Sequence, residues 1–193
     1  MSRKTDTPGA EEKKSKPKPD PQEAQAIIES LLFVSDKPLP ASKLESLVEG
    51  LDRPMLYECI QSIKNRLDGS HSPIEVREVG GGFQLATRPK YAPWIRKLHG
   101  VKEESALSKA ALETLAVIAY KQPITRAEIE AIRGVNVSGL LKTLLERRLI
   151  KIAGHANAIG KPMLYRTTPE FLVYFGLKNI QDLPSMDELK EML

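Results

Sequence analysis

The feature that most constrains this chain is an internal duplication. Residues 24–47, AQAIIESLLFVSDKPLPASKLESL, return at residues 109–132 as KAALETLAVIAYKQPITRAEIEAI: a helical pattern, a proline, an apolar residue and a second helical pattern. Pro38 and Pro123 lie 85 residues apart. At that constant offset Ile27 aligns with Leu112, Leu32 with Val117, Phe33 with Ile118, Leu39 with Ile124, Leu44 with Ile129 and Leu47 with Ile132. Such a period is longer than that of stacked solenoid repeats, so the chain reads as two copies of one small domain. Its 193 residues, 41% of them hydrophobic, suit two modest cores better than one large one.

Within the first copy the apolar spacing predicts three helices. The first starts at Pro21 and carries Ile27, Ile28, Leu31 and Leu32 to about Ser35. The second runs from Ser42 to Val48 with Leu44, Leu47 and Val48 inward, stopped by Gly50 as a left-handed cap. The third runs from Pro54 to about Leu67 with Leu56, Cys59, Ile60, Ile63 and Leu67 inward. The period then changes to alternation at Ile74 and Val76 and again at Phe83, Leu85 and Thr87, around Gly80, Gly81 and Gly82. Three helices followed by a hairpin are a winged helix, with the second and third helices as a helix-turn-helix. A closing helix spans Tyr91 to Leu98, and Trp94 is expected to pack.

The second copy repeats this order. Ser108 caps a helix to about Lys121, Thr125 caps Arg126 to Arg133, and the turn GVNVSG leads to a helix from Leu140 to Arg147. A wing pairs Ile150–Ala153 with Met163–Thr167 across the loop GHANAIGKP. Pro169 opens a last helix whose Phe171, Leu172 and Phe175 close the edge, and Ser185 is placed to cap a tail helix. The expected organisation is a charged, uncollapsed arm at residues 1–20, winged helices at 21–100 and 101–180, and a tail at 181–193: mainly α with small β-hairpin wings.

Function classes narrow from the same residues. No apolar run approaches the ~20 residues of a membrane span, and the start lacks a signal-peptide core, so a cytoplasmic protein is expected. Cys59 is the only cysteine and belongs to a core row, where it packs as an inert thiol. His71, His99 and His155 lie far apart without metal-site spacing, and Gly80–Gly82 opens onto a strand rather than a phosphate-binding helix. No catalytic, metal or cofactor residue is predicted.

Net charge is +4, but residues 1–20 carry six Lys/Arg against four Asp/Glu, residues 21–100 ten against ten and residues 101–193 thirteen against eleven. Neither half carries a strong basic excess. In the first copy's third helix Glu58 and Asp68 cancel Lys64 and Arg66. In the second, Lys142, Arg147 and Arg148 outnumber Glu146, yet the leading NVSGLLKTLL is largely apolar. That composition fits at most weak contact with a DNA backbone. The helix bearing Leu112, Leu115, Ala116, Val117, Ile118, Ala119 and Tyr120 is more apolar than one stripe requires, which fits either a fully buried helix or one docked on a partner.

TLAVIAYKQPITRAEIEAIRGVNVSGLLKTLLERRLI followed by GKPMLYRTTPEFLVYFGL strongly resembles the carboxy-terminal winged helix of the bacterial segregation and condensation protein B family. EAQAIIESLLFVSDKPLPASKLESL and VGGGFQLATRP look like its amino-terminal half, so the resemblance covers about residues 22–180. It implies a non-enzymatic homodimer, joined through the amino-terminal winged helices. The carboxy-terminal ones would grip the kleisin subunit, segregation and condensation protein A (ScpA), and through it the SMC ATPase. Chromosome condensation and segregation at the nucleoid are the implied role. Tyr120, Gln122, Pro123, Ile124, Arg126, Arg133, Gly134 and Val135 occupy the matching motif and are the partner-binding residues it implies. Two positions depart from the family pattern, which has glycines where this chain has Arg148 and Arg166. A left-handed backbone at 148 would cost roughly 1 kcal/mol, the gain being positive charge beside the wing. Lys142, Arg147, Arg148 and Arg166 are therefore the candidates for weak DNA contact. The alternative function is a tandem winged-helix DNA-binding transcriptional regulator.

Overall fold

A computed structural model describes residues 18–100, 107–185 and 188. In the first copy α1 (Pro21–Val34) leads through β1 (Leu39–Pro40) to α2 (Ala41–Leu47) and α3 (Arg53–Gly69), then to a hairpin of β2 (Ile74–Val79) and β3 (Gly82–Thr87), and to α4 (Ala92–His99). The second repeats it as α5 (Lys109–Lys121), β4 (Ile124–Thr125), α6 (Arg126–Arg133), α7 (Ser138–Glu146), β5 (Ile150–His155) and β6 (Met163–Thr167), and ends with α8 (Pro169–Phe175). Each copy holds a three-stranded antiparallel sheet, ordered β1-β3-β2 and β4-β6-β5. The arm expected at residues 1–20 lies outside the described residues apart from 18–20.

Local chemistry sets these boundaries. The Asp20 carboxylate accepts from the backbone N–H groups of Gln22 and Glu23 and caps α1, with Pro21 in the first turn. Asp52 and Ser108 cap α3 and α5 in the same way. Gly50 takes the left-handed φ of 76°, but α2 already ends at Leu47 with an extended Val48 as its cap, so Gly50 turns the following loop and does not cap the helix. Two separate cores result. Ile28, Leu44, Leu56, Ile63 and Phe83 centre the first, and Leu115, Ile118, Ile129, Leu144 and Ile150 the second. Cys59 is buried in the first core, and loss of solvent pushes its thiol pKa up.

Three further expectations are corrected. The offset is not constant: in the first helices the buried Ala24, Ile28 and Leu32 correspond to the buried Ala111, Leu115 and Ala119, 87 apart, because the connection before Pro38 is two residues longer than that before Pro123. Phe33 is consequently 74% exposed where Ile118 is fully buried. Trp94 does not pack into the core; it is 66% exposed, its ring tilted against Tyr91 at 6.4 Å. Leu47 and Phe175, expected inward, are about half exposed.

The two copies touch through the first wing. Its two-residue turn, Gly80 and Gly81 at φ 61° and 77°, is the left-handed geometry that matches strand twist. The Gly80 N–H donates to the Leu177 carbonyl at 2.9 Å and the Gly81 N–H to the Lys178 carbonyl at 2.8 Å. Lys178 Nζ also lies 3.0 Å from Glu78 Oε2. The tip of this wing is therefore occupied by the segment that follows α8.

Gly82 is needed for a different reason: a Cβ there would lie 2.6 Å from the Leu39 carbonyl carbon and oxygen, where β1 crosses β3. Gly82→Ala is expected to lower stability in urea denaturation by about 1–3 kcal/mol through overpacking. Gly69→Ala, at the open end of α3 with nothing within 4 Å, serves as control and should be neutral or slightly stabilising.

A candidate partner-binding face on the second helix-turn-helix

The face is built where α5 hands over to α6. The Gln122 side chain locks that corner: Oε1 accepts from the Thr167 N–H at 2.8 Å and the Thr167 hydroxyl at 2.9 Å, while Nε2 donates to the Ala119 carbonyl at 3.1 Å. Gln122 thus ties the end of α5 to the second wing strand, and the Gln122–Pro123 bond is cis. Ile124 pairs with Tyr165 in β6 and is buried in the core. Thr125 and Glu128 form a reciprocal capping box that starts α6: the Thr125 N–H and hydroxyl both donate to Glu128 Oε2, and the Glu128 N–H donates to Thr125 Oγ1.

The corner between α6 and α7 depends on a residue that periodicity does not single out. Glu130 Oε1 accepts from Arg126 Nε at 2.9 Å and from the Val137 N–H at 3.1 Å, so one carboxylate joins both helices of the motif. Gly134, at φ 69°, is the left-handed stop between them. Arg133 folds back over α5, where Nη1 meets Glu113 Oε2 at 2.5 Å, and its Nε is buried without a partner among the described residues. The Tyr120 hydroxyl donates to the Pro184 carbonyl at 2.7 Å. At the same edge Ser185 and Glu188 cap each other, as expected for Ser185; the rest of the tail lies outside the described residues.

Of the eight motif residues, Gln122, Ile124 and Gly134 are turned to shaping the corner, and Arg133 bridges two helices. Pro123, Arg126, Val135 and the edge of Tyr120 face outward. Beside them lies a shallow hollow of about 400 Å³ lined by Lys121, Pro123, Ile124, Glu128, Ala131 and Ile132. Ile132 is 54% exposed. Along α5 the exposed positions Leu112, Ala116 and Tyr120 recur every four residues and form an apolar face of their own, while Leu115, Ile118 and Ala119 point to the core. The apolar surplus of α5 is thus divided between core and surface. One lysine and one glutamate at the hollow suit an uncharged, apolar side chain of a partner better than a phosphate.

A larger cleft of about 500 Å³ lies between the copies, walled by Pro38, Pro40, Leu149, Val173 and Tyr174. In the first copy Phe33 and Val34 rim a further hollow with Leu67, Ile74 and Leu85. Lys142 lies exposed on α7, 3.9 Å from Glu146, and Arg147 stands at the interdomain cleft. Arg148 and Arg166 are exposed on the second wing, and Arg148 does take the left-handed conformation, at φ 56°. Among the described residues no three His, Cys, Asp or Glu side chains gather as a metal site, and no helix is long and apolar enough to cross a membrane.

The sequence matches the family model described as "Segregation and condensation complex subunit ScpB" over residues 26–186. It is 47% identical over 171 residues to segregation and condensation protein B of Geobacillus kaustophilus, covering 87% of this chain and 77% of that one. Among solved structures, ScpB from Mycobacterium tuberculosis is 37% identical, over 83% of this chain and 99% of that one, with a TM-score of 0.39. A dimer of an ScpB N-terminal domain complexed with ScpA peptide is 31% identical over 40% of this chain and 95% of that one, with a TM-score of 0.37.

The capping carboxylates make the corner sensitive to acid. Hydrogen bonds from the Thr125 hydroxyl and N–H hold Glu128 below the usual carboxylate range, and those from the Val137 N–H and Arg126 do the same for Glu130. Each binds its proton less readily folded than unfolded. Their contribution is therefore complete above the unfolded value, near 4.5, and is lost as pH falls through the lower folded values. Glu128→Gln with Glu130→Gln should make thermal stability less dependent on pH below that point, as followed by circular dichroism.

Proposed function

The chain belongs to the segregation and condensation protein B family, and from that membership we propose that it is a non-enzymatic subunit of the bacterial SMC condensin complex. It acts in the cytoplasm at the nucleoid, binding the kleisin ScpA as a homodimer and reaching the SMC ATPase only through ScpA. ATP hydrolysis belongs to the SMC subunit, and the role of this chain is to hold an otherwise unfolded kleisin segment in one path. Chromosome condensation and segregation during cell division follow from the changed geometry of the ring.

The observation that carries this reading is the outward apolar surface of α5 and α6, with Leu112 and Tyr120 on the first and Pro123, Ile132 and Val135 at the second. A DNA-reading helix-turn-helix would carry Arg, Asn or Gln at the start of its second helix, where α7 begins Ser138, Gly139, Leu140 and Leu141. A partner segment can instead bury apolar anchors in the hollow on α5 and α6, while Lys121 and Glu128 line its rim. Tyr120, Pro123, Arg126 and Val135 supply contacts; Gln122, Ile124, Arg133 and Gly134 hold the surface in shape. The first copy supplies the dimer contact, for which the exposed Phe33 and Val34 are the best-placed anchors.

Ile132→Asp with Val135→Asp is expected to weaken binding of purified ScpA at least roughly 30-fold in titration calorimetry, the loss of one interface hot spot of about 2 kcal/mol. The thermal midpoint should stay near that of the parent, because both side chains are about half exposed. Unchanged ScpA affinity would refute the assignment. In light scattering, Phe33→Asp with Val34→Asp should halve the mass of the free protein, and a mass that stays dimeric would move the dimer contact elsewhere.

A further inference from the structure

Wing by wing, the two copies differ sharply in charge. Residues 147–168, which contain the whole second wing, hold Arg147, Arg148, Lys151, Lys161 and Arg166 and no Asp or Glu. Averaged over residues 101–193, thirteen basic residues against eleven acidic ones, this concentration disappears. The first wing is mixed: Arg77 and Arg88 pair with Glu75, Glu78 pairs with Lys178, and the tip is held by the Leu177 and Lys178 carbonyls. No such contact occupies the tip of the second wing among the described residues.

Four of these cations stand where the fold disfavours them. Lys151 and Arg166 are direct cross-strand partners on the exposed side of the hairpin, and like charges placed opposite each other destabilise a sheet. Arg148, at the base, and Lys161, beyond the tip, have φ of 56° and 41°, a left-handed backbone that side chains other than glycine rarely adopt. None of the four forms an ion pair among the described residues. Ordinary selection for stability would replace them, so their presence points to an external anion.

We propose that the second wing is a binding surface for the phosphate backbone of double-stranded DNA. Arg148, Lys151 and Arg166 gather at the base of the hairpin and Lys161 stands in the loop at its tip, β5 extending about 20 Å at strand rise, a span that covers several phosphates of one backbone. Hydrogen bonds from lysine and arginine to phosphate need no base-reading groups, so contact is independent of sequence. A single wing makes few contacts and binds weakly; two wings in a dimer multiply the effect by effective concentration. This inference stands apart from the kleisin reading, since the wing and the α5–α6 hollow share no residue.

The test is fluorescence anisotropy of the full chain with a labelled mixed-sequence duplex of about 30 base pairs, titrated at several salt concentrations. Four phosphate contacts predict a slope of log affinity against log salt of about −3.6 per wing. Lys151→Gln with Arg166→Gln should reduce the magnitude of that slope by about 1.8 per wing and raise the thermal midpoint by removing the like-charge pair. Lys43→Gln with Lys97→Gln removes the same formal charge from exposed sites of the first copy and should leave the slope unchanged. No binding at low salt, an unaltered slope in the wing variant, or an equal loss in the control overturns the proposal. A polyglutamate peptide that displaces the duplex and shows the same dependence on Lys151 and Arg166 would also overturn it, by assigning the wing to acidic protein.

Discussion

Each copy is closed by two residues of strand that follow a proline. Leu39 and Pro40 pair with Phe83 and Gly82, and Ile124 and Thr125 pair with Tyr165 and Leu164. These short pairings make the wing's second strand the middle of a sheet, so the hairpin cannot swing free of the helix-turn-helix. Everything displayed at the surface inherits its position from that closure. In the second copy Gln122 reinforces it, joining the end of α5 to Thr167 on the strand paired with β4. In the first copy the close approach of Leu39 to Gly82 does the same by contact rather than by side-chain hydrogen bonding.

Much of this was legible before any coordinates. Caps such as Ser108, Thr125 and Ser185 act within three residues of where they stand, and the core row of α3 follows helical period. Leu44 and Ile129, aligned by the repeat, are both fully buried. The failures have a common physical cause: they depend on what is across space rather than along the chain. The two-residue difference before the prolines shifted the partners of α1, because a helical face is defined from its own cap and not from a distant proline. Trp94 has ample apolar surface to pack, yet α4 lies at the rim of the first copy with no second layer above it among the described residues.

The candidate site was legible as a motif but not as a division of labour. Sequence placed Gln122, Ile124 and Gly134 beside Pro123 and Val135, and nothing in their order separates those that build the corner from those that face solvent. Glu130 went unnoticed because a glutamate on the polar side of a helix is ordinary; its role appears only when the Val137 N–H turns toward it. Charge on the second wing was legible only in part: Arg148 and Arg166 stand out in the sequence, but Lys151 and Lys161 do not, since averaging over half the chain lets carboxylates on α5 and α6 cancel cations that they do not touch.

Duplication followed by unequal use explains the asymmetry between the copies. Once the first wing donates its turn N–H groups to the segment after α8, its tip is no longer available to an outside ligand. The second wing, bulged near Gly154 and closed by the longer loop 156–162, has no such hydrogen bonds to the other copy at its tip among the described residues and can carry residues that the fold alone would not favour. The apolar edges diverge as well: Phe33 is exposed in α1 because the longer connection rotates the register, whereas α5 buries Ile118 and exposes Leu112, Ala116 and Tyr120. Two copies of one closed scaffold thus present different chemistry without any change in the closure itself.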